Sequence, residues 1–183
     1  MELEVDYNMN PTKLFTYIDQ SKWDKAIERV RRVPSEASTW LVSKYGPLPF
    51  RYLPLHLCLQ FHPPFALVES LVDAYQQALT KKDHEGKLPL HHICAAAATN
   101  SGDTRQYSND KATEAIAALL ISLYPDGIHE RDNYGKTCLD VVQNIKQREG
   151  RNSHAEAILR VIRKYEQPED RRNKESFTSP TST

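Results

Sequence analysis

One block of nine residues recurs in this chain and constrains its fold more than any other feature. Asp83-His84-Glu85-Gly86-Lys87-Leu88-Pro89-Leu90-His91 is echoed by Asp132-Asn133-Tyr134-Gly135-Lys136-Thr137-Cys138-Leu139-Asp140, and its second half by Leu53-Pro54-Leu55-His56. The positions of Leu53, Leu88 and Thr137 are 35 and then 49 residues apart. A period of roughly 20–50 residues marks stacked units, each too small to bury its apolar face alone. The longer interval contains the polar stretch 99–110, which reads as an inserted loop. Without it the two periods nearly agree.

The residue types in the block make physical sense. Pro54 and Pro89 suit the first turn of a helix, where the missing N–H has no intrahelical acceptor. Gly86 and Gly135 supply a turn with positive φ at no steric cost. Leu55 and Leu90 then head apolar helices expected over 55–61 and 90–98. A second helix follows each, with start signals in Pro63-Pro64, in Asp110, and in Ser153 with Glu156 as a capping box. Leu67, Val68, Leu71, Val72 and Tyr75 recur at helical spacing, as do Ile116, Leu119, Leu120, Leu123 and Tyr124, and Ile158, Leu159, Ile162 and Tyr165.

Upstream the pattern is more degenerate. Asn10-Pro11 caps a helix predicted over 12–19, and Ser21 with Asp24 caps another over 22–32. Aromatic and β-branched residues over 38–45 and 48–52, either side of Gly46-Pro47, predict an extended hairpin. The expected organisation is an arm over 1–10, a repeat domain over 11–166 and a disordered tail over 167–183. That tail has too little apolar content to offset its ordering entropy, and its Ser179-Pro180 is a candidate phosphorylation site.

The block resembles the ankyrin repeat, in which an Asp and a Gly form a hairpin turn and Thr-Pro-Leu-His opens the first of two antiparallel helices. The Thr position is Leu in two copies, and the third reads Thr137-Cys138-Leu139-Asp140, replacing both Pro and His. The resemblance implies a mainly α fold: a helical repeat solenoid of β-hairpins and helix-turn-helix units, with about four helix pairs, the first and last acting as caps. It assigns Leu53, Pro54, Leu55, His56, Gly86, Leu88, Pro89, Leu90, His91, Gly135, Leu139 and Asp140 to the scaffold. His56 and His91 would hydrogen-bond backbone within and between units. Asp140 can accept such bonds but cannot donate them.

The resemblance also implies a non-catalytic module that binds a protein partner through hairpin tips and the outward face of each first helix. Its candidate tips are Arg51, Lys82, Asp83, His84, Glu85, Arg131, Asn133 and Tyr134, and its candidate helix positions are Leu57, His92 and Val141. A competing reading makes His91, His92 and Cys94 a metal site or a Cys/His enzyme centre. In a helix, His91 shares a face with Cys94 while His92 points elsewhere, and two ligands do not complete a tetrahedral site. No metal or cofactor is therefore expected. A third reading places partner contact on the 99–110 loop of a regulatory subunit.

Charge narrows the partner class. With 24 Lys and Arg against 24 Asp and Glu among 183 residues, the chain lacks the surplus of cations that general nucleic-acid binding uses. The clusters at Lys25, Arg29, Arg31 and Arg32 and at Arg160, Arg163 and Lys164 are interleaved with acids, as on solvated helix faces. No apolar run approaches the ~20 residues of a membrane helix. The start lacks the basic and apolar segments of a secretory signal. Three Cys do not make a disulfide framework. The expected setting is cytoplasmic, with the nucleus also compatible, and the chain is expected to be monomeric on its own.

Overall fold

The computed structural model describes residues 3–43, 49–97, 110–149 and 152–166. Within them the chain is mainly helical, with one small three-stranded sheet. In order the elements are β1 (Glu4–Asp6), α1 (Lys13–Asp19), α2 (Trp23–Arg32), β2 (Trp40–Ser43), β3 (Phe50–Tyr52), α3 (Pro54–Cys58), α4 (Phe65–Ala74), α5 (Pro89–Ala96), α6 (Asp110–Leu123), α7 (Cys138–Glu149) and α8 (Ser153–Glu166). Short 3-10 turns follow α2, α4 and α6, at Pro34–Ser38, Gln76–Thr80 and Pro125–Ile128. No helix among the described residues is long and apolar enough to cross a membrane.

Consecutive helices pair, α1 with α2, α3 with α4, α5 with α6 and α7 with α8. The odd-numbered helices also pack on one another in chain order, as do the even-numbered ones, so the helices form two layers. The helical periodicities fill the space between them. Leu14, Phe15 and Ile18 of α1, Leu67, Val68 and Leu71 of α4, Ile116, Leu120 and Ile121 of α6, and Ile158 and Ile162 of α8 belong to one buried core. Leu123 departs from its expected stripe and is exposed.

Several local expectations are corrected. The segment read as an arm is partly built in: β1 pairs parallel with β2, Val5 opposite Leu41, and the N–H of Tyr7 donates to the carbonyl of Val42 at 2.9 Å. Ser21 does not cap α2. It ends α1 instead, in the left-handed region at φ 52°, with Ser21 N–H donating to Ile18 and Lys22 N–H to Tyr17. That is the Schellman arrangement, which closes orphan carbonyls of a helix C-terminus. Thr12, rather than Asn10, caps α1 by accepting from the N–H of Phe15. At α8 the cap is Asn152, whose Oδ1 accepts from Ala155 N–H at 2.9 Å, rather than Ser153. The helix expected over 55–61 stops at Cys58; the chain goes on in tighter turns, Gln60 N–H donating to Leu57 and Phe61 N–H to Cys58, before His62 takes φ 51° ahead of Pro63. The Gly46-Pro47 turn, the 99–109 part of the insertion and the 167–183 tail lie outside the described residues, while Asp110 opens α6.

The two full copies of the block close the same turn. Asp83 Oδ1 accepts from the N–H groups of Glu85 and Lys87, both at 2.8 Å, and Asp132 Oδ1 accepts from those of Tyr134 and Lys136, both at 2.9 Å. Gly86 and Gly135 take φ +75° and +74°. Their surroundings differ: a Cβ on Gly86 would lie 2.8 Å from the backbone N of Asn133, whereas one on Gly135 would meet nothing within 4 Å. Gly135→Ala should therefore cost the left-handed penalty of about 1–2 kcal/mol. Gly86→Ala should cost at least ~1 kcal/mol more, because backbone has to move. Urea unfolding of the two variants checks this, and equal midpoints would contradict it.

Candidate interaction surface

The sheet sorts its side chains by alternation. Leu41 pairs with Tyr52 and Ser43 with Phe50, so Val5, Leu41, Phe50 and Tyr52 share one face. Glu4, Trp40, Val42 and Arg51 share the other. On that second face the Arg51 guanidinium lies 3.5 Å over the Trp40 ring while its Nε donates to Glu4 Oε1 at 3.0 Å. Along the first face ring contacts run from Tyr7 to Phe50, from Phe50 to Tyr52, and from Tyr52 to His84, with centroids 5.1–5.5 Å apart.

From His84 the strip passes to the next hairpin. Asn133 Nδ2 donates to the His84 carbonyl at 3.2 Å, Asn133 N–H donates to the Glu85 carbonyl at 2.9 Å, and the Tyr134 hydroxyl donates to Glu85 Oε1 at 3.2 Å. Lys82 pairs with Glu130 at 2.8 Å and donates to the Arg131 carbonyl at 3.0 Å. The Arg131 guanidinium donates to the carbonyl of Gly135. The tips at 82–85 and 131–134 are thus one continuous surface, with Lys82, His84, Arg131, Asn133 and Tyr134 exposed. Arg51, Glu85 and Val141 are half-buried.

Three sequence-predicted contact residues are not exposed. Asp83 is the buried bracket of its turn, and His92 is buried against it, with Nε2 2.9 Å from Asp83 Oδ2. A residue that anchors its own hairpin is not free to face a partner. Leu57 is also mostly covered, at 9% exposure, yet it lines an open groove of about 320 Å³. Its lining is Tyr7, Asn8, Pro11, Phe15, Thr16, Asp19, Leu41 and Leu57, of which Phe15 and Leu41 are themselves buried in the core. Sequence reasoning missed this groove and the ring strip. The alternation in Phe50-Arg51-Tyr52 was a usable signal for the strip; the groove needs β1 and α1 to be placed against α3.

The histidines of the repeated block are committed to backbone. His56 Nδ1 accepts from the N–H of Leu53 at 3.2 Å, so the proton sits on Nε2, which donates to the Lys81 carbonyl at 2.9 Å. His91 repeats this between Leu88 N–H and the Lys136 carbonyl. In the third copy Asp140 Oδ2 accepts from both the N–H and the hydroxyl of Thr137 at 2.9 Å. Cys94 is buried, and the neighbouring Cys138 thiol together with burial raises its thiol above the usual range, so a thiolate is disfavoured. Among the described residues no three His, Cys, Asp or Glu side chains gather where they could hold a metal ion. Comparison with known proteins finds no matching family and no matching curated protein.

Burial, followed by the neighbouring His92, pushes the His56 imidazole down to about 3. Burial lowers His91 in the same direction. Each imidazole binds its proton in the unfolded chain near pH ~6.5 but resists it in the folded one. The stability these groups support is therefore complete above ~6.5 and falls as pH drops below it, by up to about 1.4 kcal/mol per pH unit for each group. The urea midpoint should fall between pH 7.5 and 5. His56→Ala should cost on the order of 3 kcal/mol at pH 7.5, leaving the buried N–H of Leu53 without its acceptor and opening a cavity, and should make the pH dependence shallower. An unchanged pH slope in that variant would contradict the assignment.

Proposed function

We propose that this chain is a non-catalytic protein-interaction module of the ankyrin-repeat type: a short solenoid of four helix pairs that presents its hairpin tips and the neighbouring face of its odd-numbered helices to a partner protein. The observation that carries the reading is the recurrence of one hydrogen-bonded device. Asp83 and Asp132 bracket equivalent turns, and His56 and His91 tie the start of one helix to the hairpin that follows. Such a device stacks units in register and leaves their tips aligned along one side, which is how repeat scaffolds build extended binding surfaces.

The chemistry of the tips fits recognition better than catalysis. Tyr134 is 67% exposed at the end of a rigid turn, where a large amphipathic ring contributes contact area at little entropic cost. His91 and His92 spend ring nitrogens on Leu88, Lys136 and Asp83, so the Cys/His centre is the weaker reading. The polar balance of the tips, with Lys82, Arg131 and Glu85 all engaged, favours a partner surface of mixed charge over a polyanion.

The test is capture of proteins from native cell extract on the immobilised chain, compared with the double variant His84→Ala, Tyr134→Ala and read by quantitative mass spectrometry. Both side chains are exposed, so the helical circular dichroism should be unchanged. Proteins retained by the native chain should be recovered roughly tenfold less well by the variant, as for truncation of interface anchors. Undiminished recovery would overturn the placement of the surface at the tips.

A further inference from the structure

The two tips are built alike but held differently. In each, one oxygen of an Asp, at 83 and at 132, closes the turn on the N–H groups two and four residues ahead. Such bonds set the shape of a turn and leave its orientation open, because donor and acceptor belong to the same loop. At the first tip the other oxygen supplies the orientation: Asp83 Oδ2 lies 2.9 Å from Nε2 of His92, inside α5. A carboxylate is an acceptor only, so the imidazole is the donor. The pair is shut away from water, with the His92 side chain 6% and the Asp83 side chain 0% exposed, which makes a charge-assisted bond strong.

The third copy of the block lacks this tether. The position of His92 is Leu57 in the first copy and Val141 in the third, and neither side chain can donate. Both hairpins are tied to helices at their bases, through His56 to Lys81 and through His91 to Lys136, so what His92 adds is a hold on the tip itself. The second tip leans on the first instead. Asn133 reaches back twice, by its N–H to the Glu85 carbonyl at 2.9 Å and by Nδ2 to the His84 carbonyl at 3.2 Å. Tyr134 donates to Glu85 Oε1 at 3.2 Å, and Lys82 to the Arg131 carbonyl at 3.0 Å.

We propose that His92 is the positioning residue of the interaction surface: by holding Asp83 to α5 it orients the first tip, and the first tip in turn seats the second with its exposed Tyr134. The proposal rests on the interaction-module reading and names the buried side chain on which that surface depends. His92 thus serves recognition from beneath the surface, through Asp83, rather than by touching a partner.

The test is amide hydrogen exchange, read residue by residue by NMR on the isotope-labelled full chain and on two variants. His92→Leu fills a similar volume without a donor, and His92→Gln keeps an N–H donor at about the reach of Nε2. In His92→Leu the N–H groups of Glu85, Lys87 and, across the tips, Asn133 should exchange about tenfold faster or more, as for loss of a hydrogen bond to a charged group. Tyr134 and Lys136, whose N–H groups are bonded inside their own turn, should stay within about twofold of the native chain, as should Leu71 in α4 and Ile162 in α8. His92→Gln should bring Asn133 back to within about threefold of its native rate. His92→Ala, which also lacks a donor, replaces His92→Leu if circular dichroism shows that the larger side chain disturbs the fold.

A role confined to core packing accelerates the protected amides together, whereas a positioning role singles out the tips. Native exchange at Asn133 in the variant without a donor, equal acceleration throughout the chain, or no recovery in His92→Gln would overturn the proposal. No partner enters these measurements. If the proposal falls while the double tip variant still loses partner capture, the module reading keeps its surface without this tether. If the tip variant captures normally while exchange behaves as expected, the tether stands and the placement of the binding surface at the tips falls.

Discussion

The His56 imidazole ties the start of one helix pair to the hairpin of the next, a junction that the Tyr52–His84 ring contact also spans. Its Nδ1 accepts from the N–H of Leu53, just ahead of α3, and its Nε2 donates to the carbonyl of Lys81, which lies 25 residues on, at the entry to the next hairpin. A group with one acceptor and one donor at opposite corners of a rigid ring is what this geometry demands. Burial suits it as well: a neutral imidazole with both nitrogens satisfied carries little desolvation penalty, whereas a protonated one would lose its Nδ1 acceptor and leave a buried charge. The cost is sensitivity to acid.

The third copy is the exception. His91 bridges from Leu88 to Lys136, the entry to the hairpin before α7. Asp140 holds the corresponding place at the start of α7. There the carboxylate closes on Thr137 instead, and the N–H and hydroxyl of Thr137 hold Asp140 below its ordinary range.

Much of the scaffold was legible because its signals are local. Pro at the first helical turn, Gly where φ is positive, and apolar residues at helical spacing report the backbone state of the residues that carry them. What escaped depended on contacts between distant segments. Asp83 read as a tip residue and His92 as an outward helix position, yet the two side chains are buried against each other. Residues 4–6 carry no strand pattern long enough to recognise, and they become a strand because the backbone groups of β2 offer partners. Ser21 was a plausible cap for α2, but the end of α1 claimed it first.

By itself the sequence determined the turn chemistry, the helical stretches and the exclusion of a broadly cationic surface, since these follow from the conformational limits and spacing of single residues and from counts of charge. Only the tertiary structure decided which polar residues of the block became internal brackets and which remained exposed, and that Tyr7, Phe15, Leu41, Leu57 and Asp19 enclose one groove. Periodicity says which face of a segment is apolar, but not what will cover it. That depends on the approach of elements far apart in the chain, here set by the bridging imidazoles and by the docking of β1 onto β2.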